Sequence, residues 1–185
     1  MNETRELPAS HVGAEVRPRG AAARLAEGLE GFIDWIGRIA AWIGFGLVIA
    51  VALNVPLRYL FSQSQVWLQE LEWHLISPIV MIGVAYALRH REHVRVDLFY
   101  ERFPPWLQHL IDLTVALTIV VISVVLIYVS MPWVLQAYRI GEGSPDPGGL
   151  PYRFLLKAFI PFGFLLLLIQ GVADGIKHAL LLFNR

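Results

Sequence analysis

Cysteine is absent from the 185 residues, which excludes disulfides, thiolate metal sites and cysteine nucleophiles. Charge is scarce: Asp, Glu, Lys and Arg make up 16% of the chain, against about 25% in an average soluble domain. The two signs balance to a net charge of +0, so no general electrostatic case for nucleic acid exists. No HExxH or GxSxG string occurs, and with them the sequence signs of zinc and serine hydrolases are missing. No catalytic residue, metal ligand or cofactor is assigned. No apolar core follows a basic start near Met1, so a cleavable signal peptide is not expected.

What is abundant is apolar. Hydrophobic residues reach 56% and aromatics 12%, with a mean hydropathy of +0.56. The runs between charged residues locate the elements. Ile39–Leu57 is uncharged for 19 residues, Trp73–Leu88 for 16, Leu113–Tyr138 for 26 and Ala158–Ala173 for 16. A helix needs roughly 20 mostly apolar residues to cross a bilayer core of about 30 Å. Arg89, Arg153 and Lys157 at the ends of the short runs can snorkel. The fold class expected is an all-α membrane protein with four transmembrane helices. A buried soluble bundle is the alternative, but IVVISVVLIYV (119–129) and FGFLLLLI (162–169) lack the polar helix faces it needs.

Two further helices are expected. Residues 1–20 read as a disordered cytoplasmic tail, and 21–185 as the membrane domain. From Ala21 an apolar stripe runs through Leu25, Leu29, Phe32, Ile33, Ile36, Ile39 and Ile43 at helical spacing. It predicts an amphipathic helix in the interface that leads into the first span. Ser62–Leu75 puts Trp67, Leu68, Leu71 and Leu75 on one face, as in a short helix flat on the outer surface. Alternatively these residues begin the second span.

Eleven of the fifteen Lys and Arg residues fall in the head, the 89–112 loop and the C-terminus. That bias predicts both termini on the cytoplasmic side. The 141–151 segment, GEGSPDPGGLP, is rich in fixed and special backbone angles. It reads as ordered, either packed on a partner or an inert turn. Arg139, Glu142, Asp146 and Arg153 are its charged candidates for docking a soluble protein.

No carboxylate lies mid-span, where a charge would flag an ion pathway. The small residues Gly44, Gly46 and Gly163, with the polar Asn54 and Gln170, are candidates for contact with another membrane subunit. His109 and His178 fall near one level and raise the rival reading, a haem b-binding membrane anchor of an electron-transfer complex. The bland alternative is a pair of interfacial histidines. A small autonomous channel or carrier is a third reading.

The strings NVPLRYLF (54–61), WLQELEWHL (67–75) and GVAYALRHREHVRVDLFYERF (83–103) together resemble the small membrane subunit of tripartite ATP-independent periplasmic (TRAP) transporters, the DctQ-like family. SPDPGGLPYRFLLKAFIPFGFLLLLIQG (144–171) is similar to a subset described with mannitol, chloroaromatic or 2-oxo-acid systems. The likeness covers about Asp34 to Gly175. It implies four spans plus a horizontal outer helix in the bacterial inner membrane. It also implies a large permease subunit and a periplasmic substrate-binding protein as partners, beside membrane lipid. In such systems the large subunit moves an organic, often carboxylate, solute with sodium, and the small one supports it.

Overall fold

The structure is a computed structural model that describes residues 21–60, 65–90, 100 and 103–183. The expected tail at 1–20 and residues 91–99 and 101–102 of the 89–112 loop lie outside the described residues. Four long helices carry the chain: α1 (Ala21–Leu60), α2 (Val66–Arg89), α3 (Pro105–Arg139) and α4 (Arg153–Phe183). All four are long and apolar enough to cross a membrane.

Helix is the outcome even for the β-branched run 119–129, whose residue types favour strands in water. In hydrocarbon an unpaired backbone amide costs several kcal/mol, and a helix satisfies each one within its own segment. The same argument explains why each helix continues through an internal proline: Pro56, Pro78, Pro132 and Pro161. Thr114, Thr118 and Ser130 return their hydroxyls to carbonyls four residues back, at 2.8, 2.8 and 2.6 Å.

The polar residues form an internal ruler. At one end, here the terminal end, stand Asp34, Arg89, Asp112 and Lys177. At the other, the loop end, stand Asn54, Glu72, Trp133 and Lys157. Along the four helices these markers are 17 to 21 residues apart, or roughly 25–32 Å. That matches the hydrocarbon thickness of about 30 Å. Large side chains between the layers face outward, among them Trp42, Phe45, Val48, Val121 and Val124.

Within the slab α4 is the centre of packing. It touches α1, α2 and α3, while α1 also packs on α2 and α3 rests mainly on α4. The core joins Ile33, Ile36 and Ala40 of α1 to Ile82 and Ala85 of α2 and Leu166 of α4. Small residues set the spacing. A Cβ at Gly163 would stand 2.6 Å from Met81 Cβ, and one at Gly171 would stand 3.0 Å from Ile119.

The terminal end is held by charge. Glu30 is 3% exposed, yet it receives Lys177 Nζ at 2.5 Å and Arg89 at 3.3 Å. One carboxylate thus ties α1, α2 and α4. Asp34 adds His90 at 3.0 Å. Asp112 of α3 faces His178 of α4 at 3.6 Å and accepts from the Tyr100 hydroxyl at 2.7 Å.

Two expectations change. The N-terminal amphipathic helix is not a separate element, because α1 is one helix of 40 residues. Its buried side is Ala23, Ala26, Glu30, Ile33, Ile36 and Ala40, whereas Leu25, Phe32 and Ile39 are exposed. Small residues and a paired acid turn inward because they allow close approach; bulky ones lose nothing by facing lipid. Among the described residues no separate horizontal outer helix is seen either. The stretch from Val66 to Leu75 is the first part of a continuous α2.

Removing both cations from Glu30 leaves a buried, uncompensated charge, which costs about 3–5 kcal/mol. Arg89→Met with Lys177→Met is therefore expected to lower thermal stability of the detergent-solubilised chain sharply. Adding Glu30→Gln should restore more than half of that loss. If the triple variant is no more stable than the double, Glu30 does not organise this end.

Candidate functional site at the loop end

The α3–α4 connection is built by local backbone chemistry. At the end of α3 the Gly141 N–H donates to Tyr138 O at 3.1 Å and the Glu142 N–H to Ala137 O at 3.0 Å. With Gly141 at φ +61, this is a Schellman ending, which needs a left-handed residue at that point. Asp146–Gly149 then turns back, with the Gly149 N–H on Asp146 O at 3.0 Å and Gly148 at φ +80. Proline followed by a positive-φ glycine is the pattern of a type II turn. Ser144 and Leu150 close the base, N–H to carbonyl at 3.1 Å.

A single carboxylate fastens this loop to α2. Glu70 accepts the Ser144 hydroxyl on Oε1 and the Leu150 N–H on Oε2, the latter at 2.6 Å. The Ser144 oxygen in turn accepts the Asp146 N–H at 3.1 Å. Gly149 leaves room for the clamp: a Cβ there would meet Glu70 Oε2 at 2.7 Å. One helical turn supplies a second tie, because Glu72 accepts Asn54 Nδ2 of α1 at 2.7 Å. His74 sits beside them with Nδ1 2.8 Å from the Glu70 carbonyl.

The other side of the loop is fixed to α4. The Arg153 N–H donates to Glu142 O at 2.9 Å. Lys157 Nζ reaches the Glu142 carboxylate at 2.5 Å and stands 4.5 Å over the Trp133 ring. Tyr152, at φ +67, stacks edge-on to Phe154, which also meets Tyr138.

The residues singled out in the sequence are distributed as follows. Glu142 and Arg153 come together within the loop, while Arg139 and Asp146 stay exposed. Trp67 is 43% exposed and Leu68 only 6%, with Leu71 and Leu75 half-buried, so the four do not share a lipid-facing side. Gly44 and Gly46 have open space beside them. Gly163 is taken up by Met81, and Gln170 is fully buried and donates to Asp174 at 3.2 Å. Asn54 is engaged by Glu72. The five do not form one surface.

Sequence reasoning missed Glu70, Ser144 and the Glu30 cluster. Their partners lie 74, 80 and 147 residues away, so no local spacing marks them. Nothing favours the haem reading. His109 and His178 approach to 5.7 Å between ring centres, but α3 and α4 are in close contact just above them. A Cβ at Gly175 would be 3.8 Å from Ala116 Cβ, so the helices pack closely there, and His178 faces Asp112 at 3.6 Å. Among the described residues no three His, Asp or Glu side chains converge as a metal ion requires.

Comparison with known proteins adds the family. Residues 47–180 match the model of the DctQ component of tripartite ATP-independent periplasmic transporters. The chain is also similar to the ectoine TRAP transporter small permease protein TeaB of Halomonas elongata, at 30% identity over 125 residues. That match covers 68% of this chain and 64% of the relative, so the chain spans somewhat less than two thirds of the relative's length. With four helices long and apolar enough to span a membrane and a family match over most of its length, the chain belongs to the DctQ component family of tripartite ATP-independent periplasmic transporters.

Proposed function

We propose that this subunit is a scaffold that carries no solute itself. It would hold a larger permease subunit in the membrane and offer its loop end to a periplasmic substrate-binding protein. The supporting observation is the uncharged slab between the two polar layers. No run from Ile39 to Leu57, Trp73 to Leu88, Leu113 to Tyr138 or Ala158 to Ala173 contains an Asp, Glu, Lys or Arg. Intramembrane acids are the usual mark of an ion-coupled pathway. On this reading sodium coupling and solute passage belong to the large subunit. An organic solute is in keeping with the Halomonas relative, which is named for ectoine; the family resemblance points to carboxylate solutes.

The membrane partner would meet α1. Gly44 and Gly46 have open space between exposed Trp42, Phe45 and Ile49. Association in lipid relies on close packing at small residues, and this is a notch of that kind. The soluble partner would meet the stiff loop, where Arg139 and Asp146 are exposed. The termini then lie in the cytoplasm, consistent with the Lys and Arg bias.

Three measurements test the scheme. A reporter active only in the periplasm is expected to be silent when fused after Arg185 and active when inserted at Gly148; the opposite pattern inverts the topology. Gly46→Leu should cut co-purification with the large subunit through overpacking worth about 1–3 kcal/mol, with the small subunit's own stability kept. Gly163→Leu should instead lower that stability, because Met81 occupies the space. Equal co-purification of Gly46→Leu and wild type would move the contact off this notch. Reversing the exposed loop charges, Arg139→Glu with Asp146→Lys, should slow binding-protein-dependent uptake in proteoliposomes, most at low salt. Uptake that matches wild type across a salt series removes the loop from docking.

A further inference from the structure

α2 and α3 both pack on α4, yet they leave a gap between themselves at the loop end. The gap is a slot of about 730 Å³, open sideways, with Trp73 and Trp133 at its mouth. Its walls are apolar: Ile76, Val80 and Met81 of α2 face Leu156 and Ile160 of α4. The volume is in the range of ligand sites, roughly 300–1,000 Å³. From Trp73 to Val80, or Arg153 to Ile160, the slot descends roughly 11 Å. It ends where Met81 meets Gly163. A blind slot about a third as deep as the bilayer core does not seat a spanning helix along its length. It does admit the upper part of a hydrocarbon chain.

The mouth has a defined charge. Lys157 is matched by Glu142 at 2.5 Å. Glu70 already engages Ser144 and Leu150. Arg153 lines the slot, is half-buried, and has no carboxylate within ion-pair distance among the described residues. A guanidinium presents a planar fork that fits phosphate oxygens bidentately. The two indoles lie where aromatic rings favour the headgroup boundary. Apolar walls, an opening toward the bilayer and a guanidinium at the mouth, which feels the Glu70 carboxylate without forming an ion pair to it, fit one occupant.

We propose that this slot seats a single glycerophospholipid, its phosphate diester on Arg153 and one acyl chain between Val80 and Ile160. The proposal depends on the placement in the membrane and not on either protein partner. The bound lipid would fill the space that α2 and α3 leave and brace α3 at the loop end.

The test uses the full chain in vesicles of phosphatidylethanolamine and phosphatidylglycerol doped with a photoactivatable phospholipid whose acyl chain carries a diazirine. Labelling is expected to concentrate on the peptides around Ile76–Met81 and Leu156–Ile160, above the open lipid face of α3 at Val121–Val125. Arg153→Glu should reduce slot labelling about tenfold, equivalent to about 1.4 kcal/mol of binding, with the α3 face unchanged. Val80→Trp, which fills the slot without altering charge, should reduce it as well. Equal labelling of the slot and the α3 face overturns the proposal, as does slot labelling that both variants leave intact. A photo-crosslinking residue placed at Val80 in cells should capture lipid; capture of the large subunit instead would assign the slot to a protein partner and also overturn it.

Discussion

Hydrocarbon removes the force that orders a soluble bundle, because an apolar side chain gains nothing by leaving lipid for another helix. The arrangement of these four helices must come from contacts that lipid cannot supply. Close approach at small residues is one kind: Ala26, Ala85 and Ala173 are fully buried, and Gly163 and Gly171 sit against neighbouring helices. Charge and hydrogen bonding at the membrane faces are the other. Glu30 gathers Arg89 and Lys177 at the terminal end. Glu70, Glu72 and Glu142 do the equivalent at the loop end. Within the runs 39–57, 73–88, 113–138 and 158–173 no Asp, Glu, Lys or Arg occurs, and the helices are located by their ends and their notches.

This division also sets the shape. α4 carries both kinds of contact, with Gly163 and Gly171 along its length and Lys157 and Lys177 near its ends. It therefore touches all three other helices. α3 has few buried residues beyond Asp112, Ala116, Ser123 and Ala137, and it is attached to the rest mainly through α4. The opening between α2 and α3 follows from that asymmetry.

The same physics decides what could be read from the sequence. Span positions were legible because charges end each run, and the ordered loop was legible because Pro145, Pro147 and Gly148 constrain its backbone. Facing was not. A hydrophobic stripe marks the apolar side of an amphipathic helix, so Leu25, Phe32, Ile33, Ile36 and Ile39 read together as one face of an interfacial helix. The structure splits that face: Ile33 and Ile36 turn in with Ala23, Ala26 and Glu30, while Leu25, Phe32 and Ile39 turn out. The stretch from Trp67 to Leu75 has an amphipathic spacing that fits a surface helix and the start of a span equally well. What makes it the start of α2 is its packing: Leu68 is buried and Glu70 and Glu72 reach other elements. Gly163 and Gln170 looked available to a partner because sequence shows residue type and not whether the chain already occupies the site. The loop clamp has no sequence signature, since an isolated Glu70 says nothing about Ser144.

The loop end is arranged to resist displacement. Three prolines and two positive-φ glycines restrict the 141–151 backbone, so it would lose little entropy in the docking proposed for it. Glu70 passes any force on the loop to α2, and Glu72 passes it on to α1 through Asn54. Glu142 and Lys157 carry it into α4. A load applied at one short turn is thus shared by three helices. Those three meet again at Glu30, on the opposite face of the slab. Pinned at both faces, α1, α2 and α4 form a stiff frame, and α3 is the helix with the fewest restraints.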